Sequence, residues 1–204
     1  MEGGLEFMLV IGLTGNFGTG KTTVSKMLAE LGATIIDADK LGHELLQPGT
    51  ETHQEILAAF GSSILKPSGE IDRNKLGKLV FADAAALNKL NQIIHPRISE
   101  TAKQKIEEYR QTGIRVLVLE AALLIEADGL KELVDQVWIT VAPEATIVRR
   151  LKNERELNEE QVLTRLKAQM PPEEKAKQAD VVIDTDCSLD ELRTKVTELW
   201  HNLW

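Results

Sequence analysis

Apolar residues fall into two kinds of run along this 204-residue chain. Five short stretches are nearly continuous in apolar character and mostly rich in β-branched residues: 8–13, 33–36, 115–119, 137–141 and 180–183. Such runs read as parallel strands covered on both faces, since a strand with one wet face would alternate. Between them, apolar residues recur three and four positions apart. The first such segment carries Val24, Met27, Leu28 and Leu31, and the last carries Leu192, Val196, Leu199 and Leu203. Strand and helix in alternation predict a doubly wound, three-layer α/β fold on a five-stranded parallel sheet. Right-handed crossovers then place the loops that follow the strands along one edge, where ligands bind.

The spacing is uneven, and that predicts the domain plan. The gap 38–113 is too long for a crossover and reads as a helical insert, with helices at 50–60, 73–81, 84–94 and 97–112. Leu87, Leu90, Ile93 and Ile94 give it an apolar face. A break is expected at Pro96, because the residue before a proline disfavours helix, which sets His95 at a helix boundary. A second helical insert, 145–177, reads as a lid and contains a capping box at Asn158–Gln161. The last helix opens on another, Ser188–Glu191. The core is then 8–37, 114–144 and 178–204.

The first strand leads into Gly15-Asn16-Phe17-Gly18-Thr19-Gly20-Lys21-Thr22, which matches the phosphate-loop pattern G-x-x-x-x-G-K-[ST] in its strand–loop–helix setting. Backbone N–H groups of such a loop and of the helix start point at an anion. Gly15, Gly18 and Gly20 let the chain bend close to phosphate. Lys21 supplies a point charge for the β- and γ-phosphates, and the Thr22 hydroxyl suits a bridging Mg²⁺. Asn16, Phe17, Thr19 and Thr23 complete the expected ATP-binding set.

Composition narrows the reading. Net charge is −8, which argues against a nucleic-acid backbone as partner. No apolar run reaches the roughly 18–20 residues of a membrane span. Residues 1–7 lack the marks of a signal peptide, and Met8 is an alternative start. The single cysteine, Cys187, allows no internal disulfide, so a cytoplasmic protein is expected. Trp138, Trp200 and Trp204 read as core or edge packing. No feature of the pattern specifies an oligomeric state.

A phosphate loop serves switches and motors as well as kinases. The Asn-Lys pairs at 74–75 and 88–89 lack the Asp of a guanine-specificity stretch, and the third strand ends in Glu120 without an Asp-x-x-Gly. Two inserts over one phosphate site point instead to a small-molecule kinase whose lid keeps water from the γ-phosphate. Asp37 and Asp39 follow the second strand. Asp39 suits the base that deprotonates an acceptor hydroxyl. Asp37 suits a metal-water ligand, or a helix cap. Arg149, in Arg149-Arg150-Leu151-Lys152, is the lid arginine expected on phosphate charge, with a solvated helix face as its plain alternative. Arg165 and Lys175 are weaker candidates.

Several stretches together resemble the dephospho-CoA kinase family. They are the phosphate loop, Ile36-Asp37-Ala38-Asp39, Pro48-Gly49, Gly69-Glu70-Ile71-Asp72-Arg73, Leu90-Asn91-x-x-Ile94-His95-Pro96, Leu123-Leu124-Ile125-Glu126 and Gln169-Met170-Pro171. The resemblance runs from Met8 to the final helix. It implies transfer of the ATP γ-phosphate to the ribose 3′-hydroxyl of dephospho-CoA, with Mg²⁺, giving CoA and ADP. It makes Asp39 the base, Lys21 and Thr22 the phosphate and Mg²⁺ groups, 38–113 the CoA subdomain and 145–177 the lid. Asp37, Arg73, His95 and Glu126 become candidate substrate contacts; a solvated charge, a structural hydrogen bond or a surface carboxylate are the plain alternatives for the last three. The chain departs from the family's usual residues at Asn16-Phe17 (Gly-Ile), Ala122 (Pro), Thr146 (Gln) and Glu154-Arg155 (Arg-Asp). Two rival readings stand beside this one: a phosphate-loop kinase with a different small acceptor, and a nucleotide-binding regulator without turnover.

Overall fold

In the computed structural model, residues 8–155 and 158–204 are described, with the side chains of 153–155 left aside. The chain forms two compact units. One contains the residues up to Asp37 and Ile106–Trp204; the other is Ala38–Lys105.

The first unit is built on five parallel strands: β1 (Leu9–Gly15), β2 (Thr34–Asp37), β3 (Val116–Glu120), β4 (Gln136–Val141) and β5 (Val181–Asp184). Their order is β2-β3-β1-β4-β5. β1 therefore lies at the centre, pairing Leu13 with Glu120 of β3 and Gly15 with Thr140 of β4. Chain direction from β1 diverges to either side at this point, which opens a crevice at the carboxyl ends of the strands.

Every residue of β1 is buried, and so is every residue of β3. Alternate positions face opposite ways. Leu9, Ile11 and Leu13 join Val116, Val118 and Trp138 in a core cluster with Val24, Met27 and Leu28 of α1 (Lys21–Glu30) and Leu192 and Val196 of α9 (Leu189–His201). The alternate residues Val10, Leu117, Leu119 and Ile139 are equally inaccessible. On that face a Cβ at Gly12 would lie 2.5 Å from Leu124 Cδ2 and 3.0 Å from Val134 Cγ2, so both side chains fill the space a larger residue would need. α9 starts with the expected capping box, Ser188 and Glu191 each accepting from the other's backbone N–H. Trp200 packs at the margin of this core, and the exposed Trp204 meets it edge-on at 6.3 Å.

The segment 145–177 belongs to this unit. It holds most of α6 (Glu144–Arg155), then α7 (Glu159–Lys167) and α8 (Pro172–Ala176). The Asn158–Gln161 capping box opens α7.

The second unit is helical: α2 (Ala38–Leu45), α3 (Glu51–Phe60), α4 (Arg73–Ala82) and most of α5 (Ala84–Arg110). Ile56, Ile64, Ile71, Leu76 and Val80 form its core, against which Leu87, Leu90, Ile93 and Ile94 pack. The expected break at Pro96 does not occur: α5 is continuous, and His95 stands in its interior rather than at a boundary. Proline removes one N–H and crowds the carbonyl four residues back. Here that carbonyl belongs to Gln92, and both Gln92 and Pro96 are exposed. Water can therefore serve the orphaned group, and the packed apolar face holds the helix on both sides of the proline.

Candidate active site

The phosphate loop closes from β1 into α1 in a conformation that its glycines make possible. Gly15, Gly18 and Gly20 have φ of 146°, 79° and 88°. Gly20 is the N-cap of α1 and offers no side chain to it, so the first-turn N–H groups have no side-chain cap. That leaves them directed at the loop's concavity, with the positive end of the helix dipole behind them.

Hydrogen bonds fix the loop from below. Thr19 Oγ1 lies 2.8 Å from Thr140 Oγ1 and donates to Asn16 O at 2.8 Å. Thr185 Oγ1 donates to Thr19 O at 2.8 Å. Lys21 Nζ donates to Gly15 O at 3.0 Å, which folds the ammonium back over the loop. Thr22 Oγ1 donates to Glu120 Oε1 at 3.0 Å. Glu120 is only 9% exposed and ends β3, paired in register with Asp37 at the end of β2. A hydroxyl and a carboxylate so placed are hard oxygen donors of the type that suit Mg²⁺. Among the described residues no three acidic, His or Cys side chains converge. A cation here would thus take its remaining ligands from nucleotide and water, as Mg²⁺ does in phosphoryl transfer.

The segment 145–177 is tied to the loop at its tip. Phe17 N donates to Gln169 Oε1 at 2.8 Å, and Asn16 Nδ2 donates to Met170 O at 3.0 Å. The Phe17 ring packs on the cluster of Ile147, Leu151 and Val162, and the Arg165 guanidinium lies 5.0 Å from its centroid. A Cβ on Gly18 would fall 2.7 Å from both Ile147 and Leu151. The departures Asn16 and Phe17 are therefore accommodated by the segment 145–177, which supplies them with a carbonyl and an apolar seat.

The two adjacent arginines of α6 separate. Arg149 is exposed and shares an open concavity with Glu144, Lys152 and Glu159. Arg150 instead donates to Thr185 Oγ1 at 3.1 Å and to Thr185 O at 2.5 Å. Through Thr185 it reaches the phosphate loop, whereas Arg149 is not brought to it. A signal for this was present in the sequence. Ile147 and Leu151 mark the inner face of α6, and at about 100° per residue Arg149 falls roughly opposite that face. Glu154 and Arg155, also named from sequence, lie outside the described side chains.

The remaining candidates are spread over both units. Asp37 is the last residue of β2, and Asp39 is an exposed residue in the first turn of α2. Arg73 is exposed at the start of α4, behind an Asp72 cap that accepts from Asn74 N and Lys75 N. His95 is half-buried within α5. Glu126 lies in the loop after β3, its Oε1 2.8 Å from Nζ of the fully buried Lys175.

A central strand at a topological switch, a phosphate loop with a cationic lysine, and a Thr–carboxylate pair beside it define a phosphate-loop kinase. A family model described as dephospho-CoA kinase matches residues 9–191. The chain is 46% identical over 193 residues to the dephospho-CoA kinase of Geobacter sulfurreducens, covering 95% of this chain and 98% of that one. It is 44% identical to that of Dehalococcoides mccartyi over 190 residues, 93% of this chain and 94% of that one. The solved structure of dephospho-CoA kinase from Campylobacter jejuni is similar at TM-score 0.71 and 26% identity, covering 95% of this chain and 96% of that one. Shikimate kinase from Acinetobacter baumannii, at TM-score 0.57 and 16% identity over 98% of this chain and 94% of its own, shares the fold alone. This chain belongs to the dephospho-CoA kinase family.

Proposed function

We propose that the chain carries out the reaction for which its family is named. It transfers the γ-phosphate of ATP to the ribose 3′-hydroxyl of dephospho-CoA, giving CoA and ADP. The observation that carries the donor half is the Lys21–Thr22–Glu120 arrangement at the end of β1. Phosphoryl transfer asks the protein chiefly to position groups and offset charge. The N–H groups of the loop and of α1 hold the β- and γ-phosphates. Lys21 exchanges its contact with Gly15 O for phosphate oxygens. Thr22 and Glu120 would hold Mg²⁺, directly or through water, and the ion when bound would neutralise phosphate charge. Asp37 orients a water in that shell.

Asp39 acts as the base that takes the proton of the attacking hydroxyl. It lies exposed on the first turn of α2. Arg73 and His95 contribute to binding the acceptor, whereas Glu126 is taken up by the buried Lys175 ammonium. Arg150 holds the lid helix against the loop following β5, while Arg149 meets charge only when the lid closes.

The test is ADP release with Mg-ATP, with and without dephospho-CoA, and mass analysis of the product. A dephospho-CoA-dependent rate and a product heavier by one phosphate are expected. Turnover on a nucleoside monophosphate or a sugar acid, with none on dephospho-CoA, would overturn the acceptor. Tight ATP binding without turnover on any acceptor would favour a nucleotide-dependent regulator.

A further inference from the structure

Lys175 is the least expected side chain in the molecule. It sits on α8, a five-residue helix at the end of the lid segment, and is 0% exposed. Its ammonium has two neighbours in the loop after β3. It donates to Ala122 O at 3.0 Å and lies 2.8 Å from Glu126 Oε1. Both Glu126 oxygens are shut off from solvent, and Oε2 accepts no hydrogen bond among the described residues.

A buried ion pair of this kind adds little net stability, because desolvating both charges offsets most of their attraction. An apolar pair of similar volume would fill the space as well. What the ammonium supplies, and an apolar residue cannot, is a directed bond to the Ala122 carbonyl. That carbonyl is shared. Thr14 Oγ1, from the fully buried end of β1, also donates to it, at 3.3 Å. One residue earlier, Ala121 N donates to Leu13 O at 3.0 Å. One residue earlier again stands Glu120, which receives the Thr22 hydroxyl. The backbone 120–122 is therefore clamped against the last residues of β1, immediately before the phosphate loop.

We propose that Lys175 is a positioning residue for the metal end of the site: its ammonium fixes the Ala122 carbonyl and so aims Glu120 at Thr22. Glu126 is the counter-charge that holds the buried ammonium in place. The inference rests on the kinase reading of Thr22 and Glu120 given above. It assigns to Lys175 an effect on Mg²⁺ and nucleotide geometry, not on the acceptor.

The test separates positioning from packing with a double variant. Lys175→Met alone strands a buried carboxylate and is expected to lower Tm by roughly 6–20 °C. Lys175→Met with Glu126→Leu removes both charges, and Tm is expected to return to within a few degrees of wild type. Turnover should not return with it. A displaced carboxylate is expected to cost about 10- to 100-fold in kcat. The Mg²⁺ concentration for half-maximal activity should rise, as should that needed to enhance ATP binding in calorimetry without acceptor. Recovery of kcat and Mg²⁺ dependence together with Tm would overturn the proposal and reduce the pair to packing. A defect confined to the KM for dephospho-CoA would overturn it as well, by making Glu126 a group that acts on the acceptor. If the double variant does not fold, Thr14→Val decides, since it removes the second donor to Ala122 O and leaves the ion pair intact. It should shift Mg²⁺ dependence in the same direction; an unshifted value would refute the clamp. Wild-type protein inactive on dephospho-CoA would refute the kinase reading instead, and the calorimetric Mg²⁺ dependence would still test Lys175.

Discussion

Substituting alanine at two glycines of one loop should produce two different outcomes. Both Gly15 and Gly20 have positive φ, 146° and 88°. Alanine at either position pays for a conformation that L-residues avoid, about 1–2 kcal/mol. At Gly20 little else happens, since a Cβ there meets nothing nearer than 3.6 Å, at the side chain of Thr185. At Gly15 a Cβ would fall 2.3 Å from Thr140 Oγ1, 2.6 Å from Thr140 O and 2.7 Å from Thr19 Oγ1. One of those atoms is backbone of an interior strand and cannot turn aside. The overlap adds the cost of overpacking a filled interior, about 1–3 kcal/mol. It also parts the Thr19–Thr140 hydroxyl pair, worth about 0.5–1.5 kcal/mol. The totals are then about 1–2 kcal/mol for Gly20→Ala and about 2.5–6.5 kcal/mol for Gly15→Ala. For a chain of this size that is roughly 2–8 °C against 5–26 °C in Tm. Thermal melts monitored by circular dichroism, with ATP titrations on whatever remains folded, would read both. Equal losses of Tm in the two variants would refute the reasoning, because only the Cβ environment distinguishes them.

Four further outcomes are expected. Asp39→Asn should keep ATP affinity and lose about 10²–10⁴-fold in kcat; wild-type turnover in a steady-state assay would remove Asp39 from the base role. Lys21→Ala should weaken ATP binding and rate together, measured by calorimetry and ADP release, and unchanged values would sink the phosphate-loop assignment. Thr22→Val deprives the buried Glu120 of its donor and should cost about 1–3 kcal/mol of stability as well as Mg²⁺-dependent activity, while Thr22→Ser should retain both; equal behaviour of the two in denaturant melts and Mg²⁺ titrations would count against the pair. Phe17→Ala should loosen the attachment of the segment 145–177 to the loop. Because the ring is only half-buried, the stability loss should be about half the ~3–5 kcal/mol of a core Phe→Ala change, and limited proteolysis should cut the 145–177 segment faster.

Much of this molecule was legible from the chain. All five strands appear within a residue or two of their expected bounds, because buried parallel strands leave an uninterrupted apolar run that few other elements imitate. Both capping boxes form as read, being local chemistry that needs no distant partner. Pro96 misled for the complementary reason. Its local preference is weak beside the face of Leu87, Leu90, Ile93 and Ile94 packed on the second unit's core. The helix Ala38–Leu45 enters the sequence reading only as a helix for Asp37 to cap, although Ala38, Leu41 and Leu45 recur at helical spacing. Which of the adjacent arginines meets Thr185 follows helical phase, set by Ile147 and Leu151.

The sequence by itself determined the class of fold, the phosphate loop with Lys21 and Thr22, the two helical excursions and the family. Each rests on a local pattern or on a linear order of motifs, and neither requires knowing what lies across the sheet. Only the tertiary structure decided which distant groups meet. It brought Glu120 to Thr22, Gln169 to the Phe17 N–H, Thr185 to Thr19 and Lys175 to Ala122. Those partners come from strands and loops far apart along the chain, and their proximity follows from the order β2-β3-β1-β4-β5. Side-chain type tells what a residue can donate or accept, but sheet order and register determine to whom.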